Sequence, residues 1–344
     1  MVTWGREILV RCIESFLAIG SGLQVLHLLF NLLVNVLSIV LPAFLVILLG
    51  VVLTRARFIS AGLIAELNRL TYYVGLPAYL FVSIAEASFG GGRAALIFGV
   101  MGAATFLTLA IGYVIAKVRR IPAESFGSFL HASIRGNLAY IGLPVVLLAI
   151  AAHGGPDAGP MRQVALLAMA PLVVVTNTLG VLLLLMGHGR PGAAMVRTIG
   201  WQLVTNPLLL ASGMGVAFAA TGLVMPVWLH QSVSVVGQMA LPLALLCIGG
   251  TLVIMPLRGK RTNAFLASTL KVAVAPLLAW PLARWVGLTP DETRVALLFL
   301  ATPTAAASFT LAGKLGGDEA LAASSVVIST VLSIVSLTAV LMLG

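Results

Sequence analysis

The chain has 344 residues, of which 60% are hydrophobic and 9% charged, and its mean hydropathy is +1.12. That composition excludes a water-soluble globular protein, which could not cover its surface with so few polar groups. The formal net charge of +10 does not point to nucleic acid, because the basic residues sit in short loops between apolar runs and form no patch interleaved with aromatics.

Residues 1–30 mix Arg6, Glu7, Arg11 and Glu14 with Ile8, Leu9, Ile13, Phe16 and Leu17. The apolar positions share one helical face, as in an amphipathic helix lying in the membrane interface. An eleventh span in this stretch would reverse the side of the N-terminus. Beyond it, apolar runs recur at about 34–54, 63–87, 94–116, 126–150, 162–186, 199–220, 227–254, 264–286, 294–313 and 320–343. Each is long enough to cross roughly 30 Å of hydrocarbon. Lipid leaves backbone polar groups to be satisfied within the segment, so the runs are read as helices. The expected fold is an all-α integral membrane protein of ten transmembrane helices.

Proline and glycine spacing divides the chain. Pro42 and Gly50 recur 165 residues later as Pro207 and Gly215, and Pro77 recurs at the same offset as Pro242. Equal offsets imply two halves on one plan: residues 31–186 and 199–344, joined by a linker over 187–198. Five spans per half is an odd number, so the second half enters the membrane upside down, giving a 5+5 inverted repeat. The loops after spans 1, 3, 5, 7 and 9 carry Arg55, Arg57, Lys117, Arg119, Arg120, Arg190, Arg197, Arg258, Lys260, Arg261 and Lys314; the other side carries Arg6, Arg11, Arg93, Arg162, Arg284 and Arg294. Eleven against six puts the odd-numbered loops in the cytoplasm and both termini outside.

Two spans carry signs of a break. The fourth contains Arg135-Gly136-Asn137-Leu138-Ala139-Tyr140-Ile141-Gly142-Leu143-Pro144, and the ninth contains Ala301-Thr302-Pro303-Thr304 with Ser308 beyond. Glycine and proline inside a helix free backbone groups, which lipid tolerates only where they are buried in protein or line a cavity. Broken helices 4 and 9 are expected to cross near the membrane centre. Their half-helix N-termini would offer partial positive charge to an anion. Asn137 and Tyr140 beside the first break, and Asn177 between Thr176 and Thr178 in span 5, are candidate cavity residues. Lys271 lies deep in span 8 with no acid at a comparable depth. Its open partners are the carbonyl end of a broken helix, a substrate carboxylate, or water. Arg135 either draws anions into a vestibule or meets a headgroup. Cys12 and Cys247 are far apart, and the five histidines show no ligand spacing, so neither a metal site nor a cofactor is expected. No nucleophile with a base stands out, so the chain is not read as an enzyme.

The run Asn137-x-x-x-x-Gly142-x-Pro144 resembles the signature of the auxin efflux carrier family, the PIN-like transporters and their bacterial relatives. Asn206-Pro207, Ala240-Leu241-Pro242-Leu243-Ala244-Leu245 with Gly249-Gly250-Thr251-Leu252, Lys271 with Pro276, and Ala301-Thr302-Pro303 with Ala312-Gly313-Lys314 and Gly317-Asp318 agree with it in order over about 34–344. The resemblance implies a fold like the bile-acid symporters and sodium/proton antiporters. Spans 1, 2, 6 and 7 would form a scaffold, and spans 3–5 and 8–10 a mobile transport domain that moves as an elevator. It implies a small organic anion as substrate (auxin-like or a dicarboxylate), a homodimer in the lipid of a bacterial inner membrane, and efflux as the direction. Carried over, Asn137 matches the family's substrate-contacting asparagine, and Pro144 and Pro303 match its crossover prolines. With Tyr140, Gly142, Thr302, Thr304, Ser308 and Asn177 these form the candidate substrate site, supported electrostatically by Lys271 and Arg135. The central loop is short, unlike that of the plant carriers, so substrate identity does not transfer. A sodium- or proton-coupled symporter or antiporter of the same fold is the alternative. Channel and receptor readings are separated from it by saturation and counterflow.

Overall fold

The computed structural model describes residues 39–86, 92–152, 158–186, 201, 204–255 and 261–343. The N-terminal extension and the 187–198 linker lie outside the described residues. Within them the protein is all-helical, with one isolated β-bridge between Gly136 and Thr304. Five helical stretches are long and apolar enough to cross a membrane: Gly92–Val118, Ala158–Leu185, Val227–Ile254, Arg261–Val286 and Glu319–Met342. The remaining apolar runs form shorter or divided helices.

In chain order the helices are α1 (Ile39–Arg55), α2 (Ala61–Leu70), α3 (Leu76–Ala85), α4 (Gly92–Val118), α5 (Ala123–Ile134), α6 (Leu143–Ala152), α7 (Ala158–Met186), α8 (Pro207–Ala220), α9 (Val227–Gln238), α10 (Ala240–Ile254), α11 (Arg261–Thr269), α12 (Ala275–Val286), α13 (Pro290–Leu300), α14 (Ala307–Lys314) and α15 (Glu319–Met342). Their starts follow capping chemistry. The Asn206 side chain accepts from the Leu208 and Leu209 N–H groups, with Pro207 in the first turn. Thr289 and Glu292 form a capping box around Pro290. The Asp318 side chain accepts from the Leu321 N–H.

Proline explains how several runs are divided. Wide π turns at Thr71–Gly75, Leu138–Gly142 and Leu270–Val274 join α2 to α3, lead into α6, and join α11 to α12. Each ends two residues before a proline: Pro77, Pro144 and Pro276. A proline ring collides with the carbonyl four residues back, here that of Tyr73, Tyr140 or Val272, the middle residue of each turn. Widening the helix to an i→i+5 bond moves that carbonyl aside. The Gly142 N–H, for instance, reaches the Asn137 carbonyl at 2.9 Å.

The 165-residue offset reappears as paired contacts. A methyl group on Gly215 would lie 3.0 Å from the Phe81 carbonyl oxygen, and one on Gly50 would overlap the Leu246 carbonyl oxygen. Gly50 and Gly215 are 165 apart, and so are Phe81 and Leu246. The α1–α10 and α8–α3 contacts thus involve residue pairs at the same 165-residue offset. Gly75 faces its own counterpart Ala240, at 3.1 Å from an added methyl. One apolar core, which includes Leu76, Ile84, Ile141, Leu143, Leu166, Leu208, Ala275 and Phe299, joins helices from before and after the 187–198 stretch.

Candidate functional site: the crossing of two broken helices

The chain leaves helical geometry after Ile134 and again after Leu300. The two irregular stretches lie side by side, antiparallel. The Asn137 N–H donates to the Pro303 carbonyl at 2.7 Å, and the Ala305 N–H donates to the Arg135 carbonyl at 3.0 Å. Strand-like pairing satisfies backbone groups that neither half-helix can satisfy alone.

The exposed carbonyl ends of the first half-helices are met by side chains. The Thr304 hydroxyl donates to the Ala132 carbonyl at 2.9 Å, the Thr302 hydroxyl to that of Phe299 at 2.6 Å, and Ser336 to that of Ala301 at 3.2 Å. The Lys271 ammonium donates to the Leu300 carbonyl. Gly136 has no room for a side chain: a methyl there would sit 2.7 Å from the Thr302 hydroxyl oxygen and 2.8 Å from Lys271 Cε.

One cavity, of 620 Å³, opens against this crossing. Asn137, Leu138, Ala139 and Tyr140, where the second half of the fourth run restarts, line it. So do Ala305, Ala306 and Ala307, where α14 begins. The lining continues along α2 and α10 to Ala61 and Met255, at the end where α1 runs into Arg55 and Arg57. Two cations, Arg69 and Arg135, contribute to the wall, and among the described residues the lining holds no Asp or Glu. Tyr72, Tyr73, Phe309, Asn68, Thr251 and Thr310 supply aromatic and polar surface.

Arg135 is held from two sides. Its Nε donates to Asn177 Oδ1 at 3.0 Å, and its Nη1 lies 3.4 Å from Nε2 of the buried His131. Gly180 leaves space for that imidazole, since a methyl there would lie 2.5 Å from Nε2. The Tyr140 hydroxyl donates to the Asn68 carbonyl at 3.2 Å, linking the crossing to α2.

The sequence-derived site residues separate into two groups. Asn137, Tyr140, Asn177 and Arg135 line the cavity. Gly142, Pro144, Thr302, Thr304, Ser308 and Lys271 are buried in the packing around the crossing and are absent from the cavity wall. Pro303 sits in the crossing itself, through its carbonyl. Pro144 lies outside it, at the end of a π turn. The sequence reading passed over Arg69, Tyr72, Tyr73, Phe309, Thr310 and His131; the polar face Asn68, Arg69, Tyr72 of span 2 was the available signal.

The profile of a family described as "Membrane transport protein" matches residues 35–341. A Rhizobium meliloti (strain 1021) protein named "Putative malonate transporter" is 26% identical over 316 residues, covering 89% of this chain and 95% of the relative. An "Uncharacterized transporter" of Methanothermobacter thermautotrophicus (strain Delta H) is 25% identical over 300 residues, covering 87% of this chain and 95% of the relative.

Proposed function

Because the chain belongs to the membrane transport protein family, that of the auxin efflux carriers, we propose that this multi-pass membrane protein is a secondary carrier of a small organic anion and not an enzyme. The observation that carries the reading is a single cavity faced by the starts of two half-helices and by Arg135, with no acid in its described lining. Half-helix N-termini present unpaired N–H groups and partial positive charge. Arg135, already oriented by Asn177, presents further N–H donors in a planar fork suited to a carboxylate. Asn137 supplies a neutral amide at the crossing. The name of the Rhizobium relative favours a dicarboxylate, and Tyr72 and Tyr73 in the cavity wall offer aromatic surface to an aromatic acid.

In this reading the chain spans the membrane ten times as a 5+5 inverted repeat, supported by the reciprocal contacts 165 residues apart. It works as a homodimer embedded in lipid in a bacterial inner membrane, with both termini outside. The cavity then faces the cytoplasm, ready to load an anion for efflux, and the crossing moves with its half-helices between the two sides as an elevator.

The test is thermal stabilisation of the purified protein by a panel of mono- and dicarboxylates. A ligand at a hundred times its Kd adds about 2.7 kcal/mol, which a melting curve resolves. The expected result is a carboxylate that raises the melting temperature of the native protein but not of Asn137→Ala. Equal stabilisation of both removes Asn137 from the site.

A further inference from the structure

Arg69 is a cation of the cavity wall that the bonding around the crossing does not explain. It lies on α2, which runs on through the π turn Thr71–Gly75 into α3, so it caps no free helix end. At 1.5 Å per residue it sits roughly 12 Å along this run from Ala61. A charge at such depth in a spanning segment calls for a partner. Among the described residues Arg69 has neither an ion pair nor a hydrogen bond. Glu66, one turn earlier, is the acid that helical spacing puts in reach, yet the two do not pair. Both line a second cavity, of 460 Å³. Arg69 and Tyr73 are common to the two cavities, whereas Glu66 is absent from the wall of the larger one.

Arg135 stands close by. Tyr72 lies three residues after Arg69, on the same face of the run, and its phenol interacts electrostatically with the Arg135 guanidinium. The Tyr140 hydroxyl, coming from the crossing, reaches the carbonyl of Asn68, the residue before Arg69, at 3.2 Å. Arg69 is therefore one helical turn, about 5–6 Å between β-carbons, from the side chain that meets Arg135. That spacing is within reach of two long arginine side chains with a short ligand between them. Arg135 uses Nε on Asn177 and Nη1 towards His131, and among the described residues its Nη2 has no partner. A monocarboxylate on Arg135 would neutralise one of the two cations and leave Arg69 open. A dicarboxylate neutralises both, one carboxylate on each planar fork, in a wall whose described lining supplies no Asp or Glu for either.

We propose that Arg69 reads the second carboxylate of the substrate: one carboxylate sits on Arg135 at the crossing, the other on Arg69 of α2, and the pair selects two-acid over one-acid substrates. This inference rests on the carrier reading and deepens it by naming the residue that sets the substrate class.

Malonate, succinate and glutarate are each compared with their own monomethyl esters, which keep one carboxylate and mask the other. Affinities are read from titrated thermal stabilisation of the purified protein, at mildly alkaline pH, where the free carboxyls are ionised. For at least one pair the native protein is expected to bind the diacid about tenfold or more tighter than its ester, the worth of one charge-assisted contact. In Arg69→Gln the two affinities are expected to converge to within about twofold. A native protein that binds every diacid and its ester alike overturns the assignment. An Arg69→Gln variant that keeps the native preference, or that weakens diacid and ester by the same factor, overturns it as well. Where Arg69→Gln does not fold, Arg69→Met, which keeps an apolar stem, takes its place with the same expectations. No stabilisation of the native protein by any diacid or monoacid is instead the failure of the carrier reading itself, and this assignment falls with it.

Discussion

Gly136 shows how a single residue fixes the crossing. Its missing side chain lets two backbone breaks and the Lys271 stem share one space. Gly136→Ala is expected to destabilise the protein by about 1–3 kcal/mol, the usual range for overpacking a close-packed site, read as a lower melting temperature; an unchanged value would mean that the breaks are not held together there. Glu292 gives a residue-scale prediction in pH. Burial pushes its carboxyl up, but hydrogen bonds from Arg93 and Thr289 outweigh that and hold it below the usual carboxylate value. A carboxyl depressed in the folded state stabilises above its unfolded value, about 4.3. That contribution is lost as pH falls through the lower folded value. Glu292→Gln should therefore melt below the native protein at pH 7, with the gap closing under acid conditions. A gap independent of pH would show that the carboxylate's charge is not what ties α13 to Arg93.

At the scale of elements, proline placement accounts for the π turns, and one of those turns carries Tyr140 to the cavity wall. Its hydroxyl spans from the crossing to the Asn68 carbonyl on α2. Tyr140→Phe should cost about 0.5–1.5 kcal/mol, the net worth of one such bond, measured by thermal or denaturant melting. No change would mean that the bond is exchanged for water without loss. The breaks in the fourth and ninth runs were legible from Gly136, Gly142, Pro144 and Pro303, and they do pair. Which proline does what was not legible. Pro144 resembles a crossover proline in sequence, yet it terminates a π turn seven residues beyond Asn137, and Pro303 alone contributes to the pairing. Thr302 and Thr304 read as ligand groups because they flank Pro303 in the second break. They turn instead to orphaned helix carbonyls, a local demand that spacing does not reveal. Arg69 and Tyr72 share a polar face with Asn68 in the sequence, but that this face lines a cavity with the crossing depends on how α2 packs against it.

For the whole molecule, the 165-residue offset is the argument for two equivalent halves. Gly50 against Leu246 and Gly215 against Phe81 are close approaches at the same offset, so in a repeated plan both positions should respond alike. Gly50→Ala and Gly215→Ala are each expected to lower the melting temperature. Gly213→Ala, where an added methyl meets open space, should be neutral or slightly stabilising, since alanine suits a helix interior better than glycine. A lone effect at one of the pair would argue against equivalent halves. Two helix starts meet one cavity whose wall runs from the crossing to Ala61 and Met255 and whose described lining holds no Asp or Glu, and transport of an anion is the claim that depends on it. The most direct measurement is uptake of labelled malonate and related carboxylates into liposomes containing the purified protein, native beside Asn137→Ala. Saturable uptake with counterflow by the native protein, reduced at least tenfold in the variant, is the result this account predicts. Uptake that does not saturate, or a variant that transports like the native protein, would contradict it.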